Sequence, residues 1–375
     1  ADIFNEDRGS VGAQEMFKFF DRDNNMLVLR PDMTPAVARC VAKYFMDDDM
    51  PLRLCYLERT FKNNTSYQGY LKERAESGAE LIGDDSPDAD AEMIAMVIDC
   101  LKAAGLKEFQ VELGEVAFYR SLLQQSGLDE DAQAQLNDLI ENKNRFGVEE
   151  FLKNQDMEES LKEAFLKLPE LFGGINQIKK AKALTDNPQA LAAIERLERV
   201  HTLLEEYHMA DYVSYDLGML SRYQYYTGII FKAYTYGTGD YIVTGGRYNK
   251  LLVQFGKDTP AVGFAIVVDQ LMAALSRQQI HIPVQLVNTV ILYEPSARQS
   301  AVRLSRFFRS EGTPVQSMVM EEGKSLEDYK GMAKKRGLRT ILCLKDTGNT
   351  VTAFDMLTGN VDETPVSAYG VREIL

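Results

Sequence analysis

The chain is short of the residues on which most site chemistries depend. Among 375 residues there are 4 cysteines and 3 histidines. Cys40, Cys55, Cys100 and Cys343 are scattered without any C-x-x-C spacing, which excludes zinc ribbons and thioredoxin-like redox motifs and fits a reduced cytosol. His201, His208 and His281 lie far apart, so they are expected on the surface or in packing rather than as metal ligands or bases. No metal site and no cofactor is expected. No apolar run approaches the ~20 residues of a membrane span, and no charged-then-apolar leader precedes the first strand, so a cytoplasmic location without a membrane partner is expected. Cations are also scarce: 42 Lys and Arg stand against 56 Asp and Glu, for a formal charge of -14. A surface built to hold nucleic acid needs clustered Lys and Arg, and such a partner is not expected. Phosphate-cradling loops are missing too. Gly237-Thr238-Gly239 lacks the G-x-G-x-x-G spacing and reads as a hairpin turn, and Glu321-Glu322-Gly323-Lys324 has no P-loop context.

What is present is ample for folding, since 45% hydrophobic content over this length fills more than one core. Strand-like runs occur at Met16 to Phe20 and Met26 to Leu29, with Asn24-Asn25 as the turn between them. Thr34 is expected to cap a helix with Pro35 at its first position and Val37, Ala38 and Val41 on one face. Pro51 to Leu57 and Ala79 to Ile82 read as antiparallel strands flanking a polar, Asn-rich loop. Asp84-Asp85-Ser86-Pro87-Asp88 then caps a long helix over Ala89 to Ala104, and Val111 to Leu113 resumes the sheet. Residues 120–209 change to Leu-, Glu-, Gln- and Lys-rich helices broken at Gly127, Gly147, Gly173-Gly174 and Pro188. Strands return at Tyr212 to Asp216, Ile229 to Tyr236 and Tyr241 to Thr244, followed by a helix over Ala265 to Arg277. Beyond His281, Val290 to Tyr293, Gln299 to Ser310, Val315 to Val319, Leu326 to Arg336 and Thr340 to Leu344 give a βαβαβ rhythm. The expected organisation is thus a sheet core in two parts, 1–119 and 210–280, a helical insertion at 120–209, and a small α/β domain at 281–375.

Several strings share an order that points to one family. Leu29-Arg30-Pro31-Asp32-Met33-Thr34 resembles the L-R-P-E-G-T turn of histidyl-tRNA synthetases, and Ser77-Gly78-Ala79-Glu80-Leu81-Ile82-Gly83 resembles their L-G-C-E-V-F-G strand. Tyr225-Tyr226 matches the end of R-G-L-D-Y-Y, and Gly245-Gly246-Arg247-Tyr248 with Pro260 to Ala265 follow in the family's order. Asp355-Met356-Leu357-Thr358-Gly359 stands near its D-L-x-T-G. The resemblance implies an α+β fold: a class II aminoacyl-tRNA synthetase-like antiparallel sheet with helices, a helical insertion and a C-terminal anticodon-binding-like α/β domain. It also implies an amino-acid pocket. Asp32 and Thr34 would take an α-ammonium, Glu80 and Tyr226 an imidazole, and Glu76 and Tyr225 complete the candidate histidine site. Read without the family, Asp32 and Thr34 make an ordinary turn and Glu80 an ordinary strand residue.

The ATP side departs from the pattern. Phe61-Lys62-Asn63-Asn64 stands where the family has F-R-x-E. Ser221 takes the place of the R-G-L-D-Y-Y arginine, with Arg222 one residue late on an expected strand, and Gln270 that of the motif 3 arginine. Losing one charged donor costs about 10²- to 10³-fold in rate, so no catalytic residue is expected. Leu81 to Ser86, with two acids after an apolar strand, is reminiscent of a phosphoribosyl pyrophosphate loop, but helix capping explains it better. Asn63 to Gly69, Gly83-Asp84-Asp85-Ser86 with Asp88 to Glu92, and Tyr226 to Phe231 resemble the regulatory subunit of short-form ATP phosphoribosyltransferase. That family is synthetase-like but non-catalytic, forms a homodimer within a hetero-octamer with a separate catalytic subunit, and acts in the first step of histidine biosynthesis under histidine feedback. It has further sequence upstream, including the motif 1 helix, so this chain is expected to be a shortened form. Two alternatives stay open: an active histidyl-tRNA synthetase, and a tRNA-sensing paralogue using Lys334-Lys335-Arg336 and Arg339, which Glu321, Glu322, Glu327 and Asp328 dilute.

Overall fold

The computed structural model describes residues 3–4, 11–64, 71–221, 223–282 and 287–369. The chain divides into two compact units, Ala1–His281 and Ile282–Leu375. The first is organised by an eight-stranded sheet whose strands run, edge to edge, Leu52–Phe61, Glu73–Ile82, Ala261–Val267, Val243–Arg247, Ile229–Thr235, Phe109–Glu115, Val213–Asp216 and Phe172–Gly173. All neighbours are antiparallel except Phe109–Glu115 with Val213–Asp216. One face is apolar: Leu81, Val262, Phe264, Val243, Phe231, Ala233, Val111 and Leu113 share a single core with Ile94 and Ile98 of helix Pro87–Ala103 and Leu197 of helix Pro188–Glu206. The other face carries buried polar groups beside a second apolar cluster that includes Ile82 and Ile230, and forms the candidate site.

Local chemistry sets the boundaries of these elements. Ser86 caps the Pro87–Ala103 helix by accepting from Ala89 N (3.1 Å), with Pro87 at the first position and Asp88 and Asp90 in the positively polarised first turn. Asp84 Oδ1 in turn accepts from Ser86 N (2.8 Å), so the first acid after the apolar strand serves the helix start, while Asp85 Oδ1 accepts from Arg247 Nη1 (3.2 Å) and Asn249 Nδ2 (2.9 Å). Six helices lie between Val116 and Glu206, and Gly127 closes the first of them at φ 65°, a backbone conformation that favours glycine.

Four sequence expectations shift. Thr34 begins the Thr34–Tyr44 helix rather than capping it, because its hydroxyl is committed elsewhere: Thr34 Oγ1 donates to Glu80 Oε1 (3.1 Å). The segment Ala265–Val267 continues the strand Ala261–Val267, which pairs on both sides, and the helix begins only at Val268. Gly147, expected as a break, lies inside the helix Arg145–Lys153, while the expected break at Gly173-Gly174 adjoins a short edge strand, Phe172–Gly173. Ser221 lies outside any strand and its hydroxyl accepts from Tyr223 N (3.1 Å), whereas Arg222 falls outside the described residues, as does most of the Asn63 to Gly69 loop.

The second unit has a five-stranded sheet in the order Val315–Val319, Thr289–Tyr293, Thr340–Leu344, Thr350–Asp355, Val361–Pro365. The first three strands are parallel and joined through helices Arg298–Ser310 and Leu326–Lys335; the last two add an antiparallel hairpin. Asp355 makes that hairpin's turn, its Oδ1 accepting from Leu357 N (2.8 Å) and Thr358 N (3.0 Å).

Candidate functional site

Pleating sends every second residue of Glu73–Ile82 to the polar face, and on this face Arg74, Glu76, Gly78 and Glu80 are all buried. Opposite them in register stand Thr60, Glu58, Tyr56 and Leu54 on one neighbouring strand. On the other side Gly263 pairs with Glu80, and Gly246 pairs with Gly263. The glycines make room for the side chains packed over them. A Cβ at Gly78 would collide with the Tyr56 ring, one at Gly246 with the Tyr226 ring, and one at Gly263 with the Glu80 carboxyl group.

The wall is supplied by the turn before the Thr34–Tyr44 helix. Arg30 pins that turn to the sheet, donating from Nε to Arg59 O (2.8 Å) while Phe61 N donates to Arg30 O (2.9 Å). Asp32 accepts from Thr34 N (3.1 Å) on Oδ1 and from the Tyr225 hydroxyl (2.9 Å) on Oδ2. Glu80 accepts from Thr34 Oγ1 and, on Oε2, from the Tyr248 hydroxyl (2.5 Å). Tyr225, Asp32, Thr34, Glu80 and Tyr248 therefore form one continuous hydrogen-bonded chain. Tyr226 packs against Tyr225 with ring centroids 4.8 Å apart. Arg120 fixes the loop that carries both tyrosines, donating to Tyr226 O (2.7 Å) and Gln224 O (2.9 Å).

Burial dominates the electrostatics here. Glu80, 2% exposed, has its carboxyl pushed up to about 8; its two hydroxyl donors pull the other way, and Asp32 adds to the rise. Burial also raises Asp32 and Glu76, with the Lys62 ammonium opposing it in both cases. Lys62 itself is held charged. Burial works against its charge but is outweighed by Tyr223, to whose hydroxyl it donates (2.7 Å), and by Tyr241 and Glu76. The arrangement is a buried, acidic, aromatic-walled cluster whose charge suits a small cationic ligand.

The structure brings the six candidate residues Asp32, Thr34, Glu76, Glu80, Tyr225 and Tyr226 to one face. Sequence reasoning missed Tyr248, Tyr56 and Tyr223. Tyr248 was legible as part of Gly-Gly-Arg-Tyr, and Tyr56 as the residue that faces Gly78 once the two strands are paired. Behind the site, buried Arg247 donates from Nε to Asp90 Oδ1 (2.7 Å), and Arg196 donates to Asp90 Oδ2 (2.8 Å). Among the described residues no cluster of His, Cys, Asp and Glu could hold a metal, and no helix is long and apolar enough to cross a membrane. In the second unit Lys334 and Arg339 line an open cavity of about 750 Å³.

Comparison with known proteins agrees with this architecture. The sequence profile of the family described as histidyl-tRNA synthetase matches residues 1–271. An ATP phosphoribosyltransferase regulatory subunit of Acetivibrio thermocellus is 35% identical over 366 residues, 98% of this chain and 87% of that protein. Another with the same name, from Clostridium acetobutylicum, is 41% identical over 276 residues, 73% of this chain and 68% of that protein. Among solved structures, an ATP phosphoribosyltransferase regulatory subunit/histidyl-tRNA synthetase from Bacillus halodurans superposes with a TM-score of 0.77 at 31% identity, covering 90% of this chain and 85% of that one. The histidyl-tRNA synthetase of Nostoc sp. PCC 7120 has a TM-score of 0.73 at 18% identity over 95% of this chain and 85% of that one, a likeness of fold alone. The chain thus belongs to the histidyl-tRNA synthetase-like family of ATP phosphoribosyltransferase regulatory subunits.

Proposed function

We propose that the acidic cluster is a histidine-sensing site, retained in a chain that has given up aminoacylation. The chain is a non-catalytic regulatory subunit of ATP phosphoribosyltransferase, acting in histidine biosynthesis with a separate catalytic partner. One observation carries the ligand reading: Asp32 and Glu80 are bridged by Thr34 and walled by Tyr225, Tyr226 and Tyr248, so an ammonium and an imidazole would meet separate carboxyl groups linked through one threonine. The synthetase alternative is disfavoured by the ATP side. Lys62 is engaged with Tyr223, Ser221 sits in a turn, and Gln270 is neutral. A point-charge ammonium also replaces a planar guanidinium poorly at a phosphate.

The chain acts as a homodimer within a hetero-octamer. What supports self-association is the hairpin Lys18–Phe20/Met26–Val28, which exposes Phe19, Phe20, Met26 and Leu27, with Leu57 exposed on the edge strand Leu52–Phe61. Apolar groups gathered in this way mark a contact surface. Residues 120–209 form a helical insertion within the sheet core, and residues 281–375 form an anticodon-binding-like α/β domain. The decisive experiment mixes the chain with its cognate short catalytic subunit. A larger complex with raised, histidine-inhibited phosphoribosyltransferase turnover is expected; absence of co-assembly, or turnover unchanged by the chain, would refute the assignment.

A further inference from the structure

The groups around Glu80 leave its charge without a counterion. Its own strand presents Glu76 and Arg74; the turn before the first helix presents Asp32 and Thr34; the paired strand and its end present Tyr56 and Lys62. The loop wall adds Tyr225 and Tyr226, the end of Val243–Arg247 adds Tyr248, and the remaining neighbour, Gly263, has no side chain. The two cations lie toward the other acids: Lys62 acts on Asp32 and Glu76, and Arg74 on Glu76. The charged group that acts on Glu80 is Asp32, a second carboxyl group tied to it through Thr34. A carboxylate buried to 2% exposure with hydroxyls and another acid for company is costly, and such a group keeps its proton until a cation arrives.

We infer that the acidic cluster binds histidine as the imidazolium, with Glu80 handing its proton to the ring as the ligand enters. The inference rests on the histidine-sensing assignment and specifies the ligand state it requires. The Glu80 O–H bond breaks and a ring N–H bond forms, so no proton is exchanged with solvent and no further reactant is needed. The product is a buried carboxylate–imidazolium pair joined by a charge-assisted hydrogen bond, while the ligand ammonium lies against Asp32. Such a hand-over works only while the free ring is neutral and Glu80 is protonated. That window lies between about 6.5, the ordinary imidazole value, and about 8 for Glu80. Within it affinity is flat. Below it a proton must leave on binding and above it one must be taken up, so affinity falls about tenfold per pH unit on either side.

The test uses the full-length chain with ring-¹⁵N histidine at pH 7.5. Nuclear magnetic resonance of the bound ligand is expected to find both ring nitrogens protonated, and titrations across pH to trace the plateau with two falling limbs. Bound histidine with one unprotonated ring nitrogen, or affinity that rises continuously with pH, overturns the hand-over while leaving the sensing site standing. No detectable binding overturns both. Glu80→Gln is expected to return the bound ring to its neutral form and to abolish the plateau. Should that variant fold poorly, Tyr248→Phe serves instead: it removes a donor that stabilises the ionised carboxylate, so the upper limb must move to higher pH, and an unmoved limb counts against Glu80 as the proton source.

Discussion

Tyr248 and Glu80 are 168 residues apart in sequence and 2.5 Å apart in space, hydroxyl to carboxyl oxygen, across the strand that carries Gly263. The bond fastens the end of one central strand to another two places away in the sheet and fixes where the Glu80 charge can develop.

Removing that donor is expected to weaken the fold as well as the site. Tyr248→Phe keeps the ring but leaves a buried carboxyl oxygen short of a partner, a loss of about 1–3 kcal/mol. Denaturant unfolding should move to a lower midpoint with little change in slope. A midpoint equal to that of the parent protein would mean that water takes over the bond.

Stability should fall as pH rises through the neutral range. Glu80 and Glu115 are both raised from 4.5 to about 8, chiefly by burial. A carboxyl group that binds its proton more tightly when folded stabilises the fold below the unfolded value and loses that contribution as pH climbs through the folded value. Unfolding free energy is therefore expected to decline between about pH 4.5 and pH 8, by at most about 1.4 kcal/mol per pH unit for each group. Glu80→Gln and Glu115→Gln should each flatten the decline, as urea titrations at several pH values would detect.

The Arg247–Asp90–Arg196 cluster predicts an asymmetry. Arg247 is 1% exposed and Asp90 is fully buried, while the Arg196 side chain retains 23% exposure. Arg247→Met should cost about 3–5 kcal/mol, because it strips a buried carboxylate of its inner partner. Arg196→Met should cost clearly less. Equal losses in denaturant unfolding would mean that solvent screens both arginines alike.

Gly263→Ala should damage binding more than folding. The new Cβ would overlap the Glu80 carboxyl group and press on Ala79 O, driving the side chain off Tyr248. Histidine affinity measured by calorimetry is expected to fall at least about tenfold, the equivalent of one hydrogen bond of about 1.4 kcal/mol. Affinity within twofold of the parent would show that the side chain can swing aside at no cost.

The isolated chain is expected to give no histidine-dependent exchange of pyrophosphate into ATP. The expectation rests on the resemblance read in the sequence, which sets Lys62, Ser221 and Gln270 where histidyl-tRNA synthetases carry arginines; each such loss would cost about 10²- to 10³-fold. Exchange above background would return the synthetase reading to favour.

Much of this was legible in the sequence because the apolar face obeys ordinary periodicity. Residues such as Ile94, Ile98 and Leu101, three or four apart, declare one buried side of a helix. The polar face was harder. Strand Glu73–Ile82 turns Arg74, Glu76 and Glu80 inward, so by composition its first half looks like a solvated segment, and only Ala79 to Ile82 reads as a strand. Asp32, Thr34 and Tyr225 were found through local strings, but their junction depends on register and on a turn pinned by Arg30, which no local pattern contains. The run Ala261–Val267 continues as a strand past Ala265 because it is paired on both sides, a circumstance set by residues far away in sequence.

The glycines beneath the site have a consequence for how it can change over generations. Gly78, Gly263 and Gly246, on three adjoining strands, leave the space that Tyr56, Glu80 and Tyr226 occupy, so a side chain added at any of them must displace one of those three. The groups proposed to meet the ligand, by contrast, include Asp32, Thr34, Tyr225 and Tyr226, which sit on a turn, a helix start and a loop outside the ladder of the sheet. On the proposed reading, ligand preference is therefore edited from the turn and the loop, while the strands beneath them stay as they are.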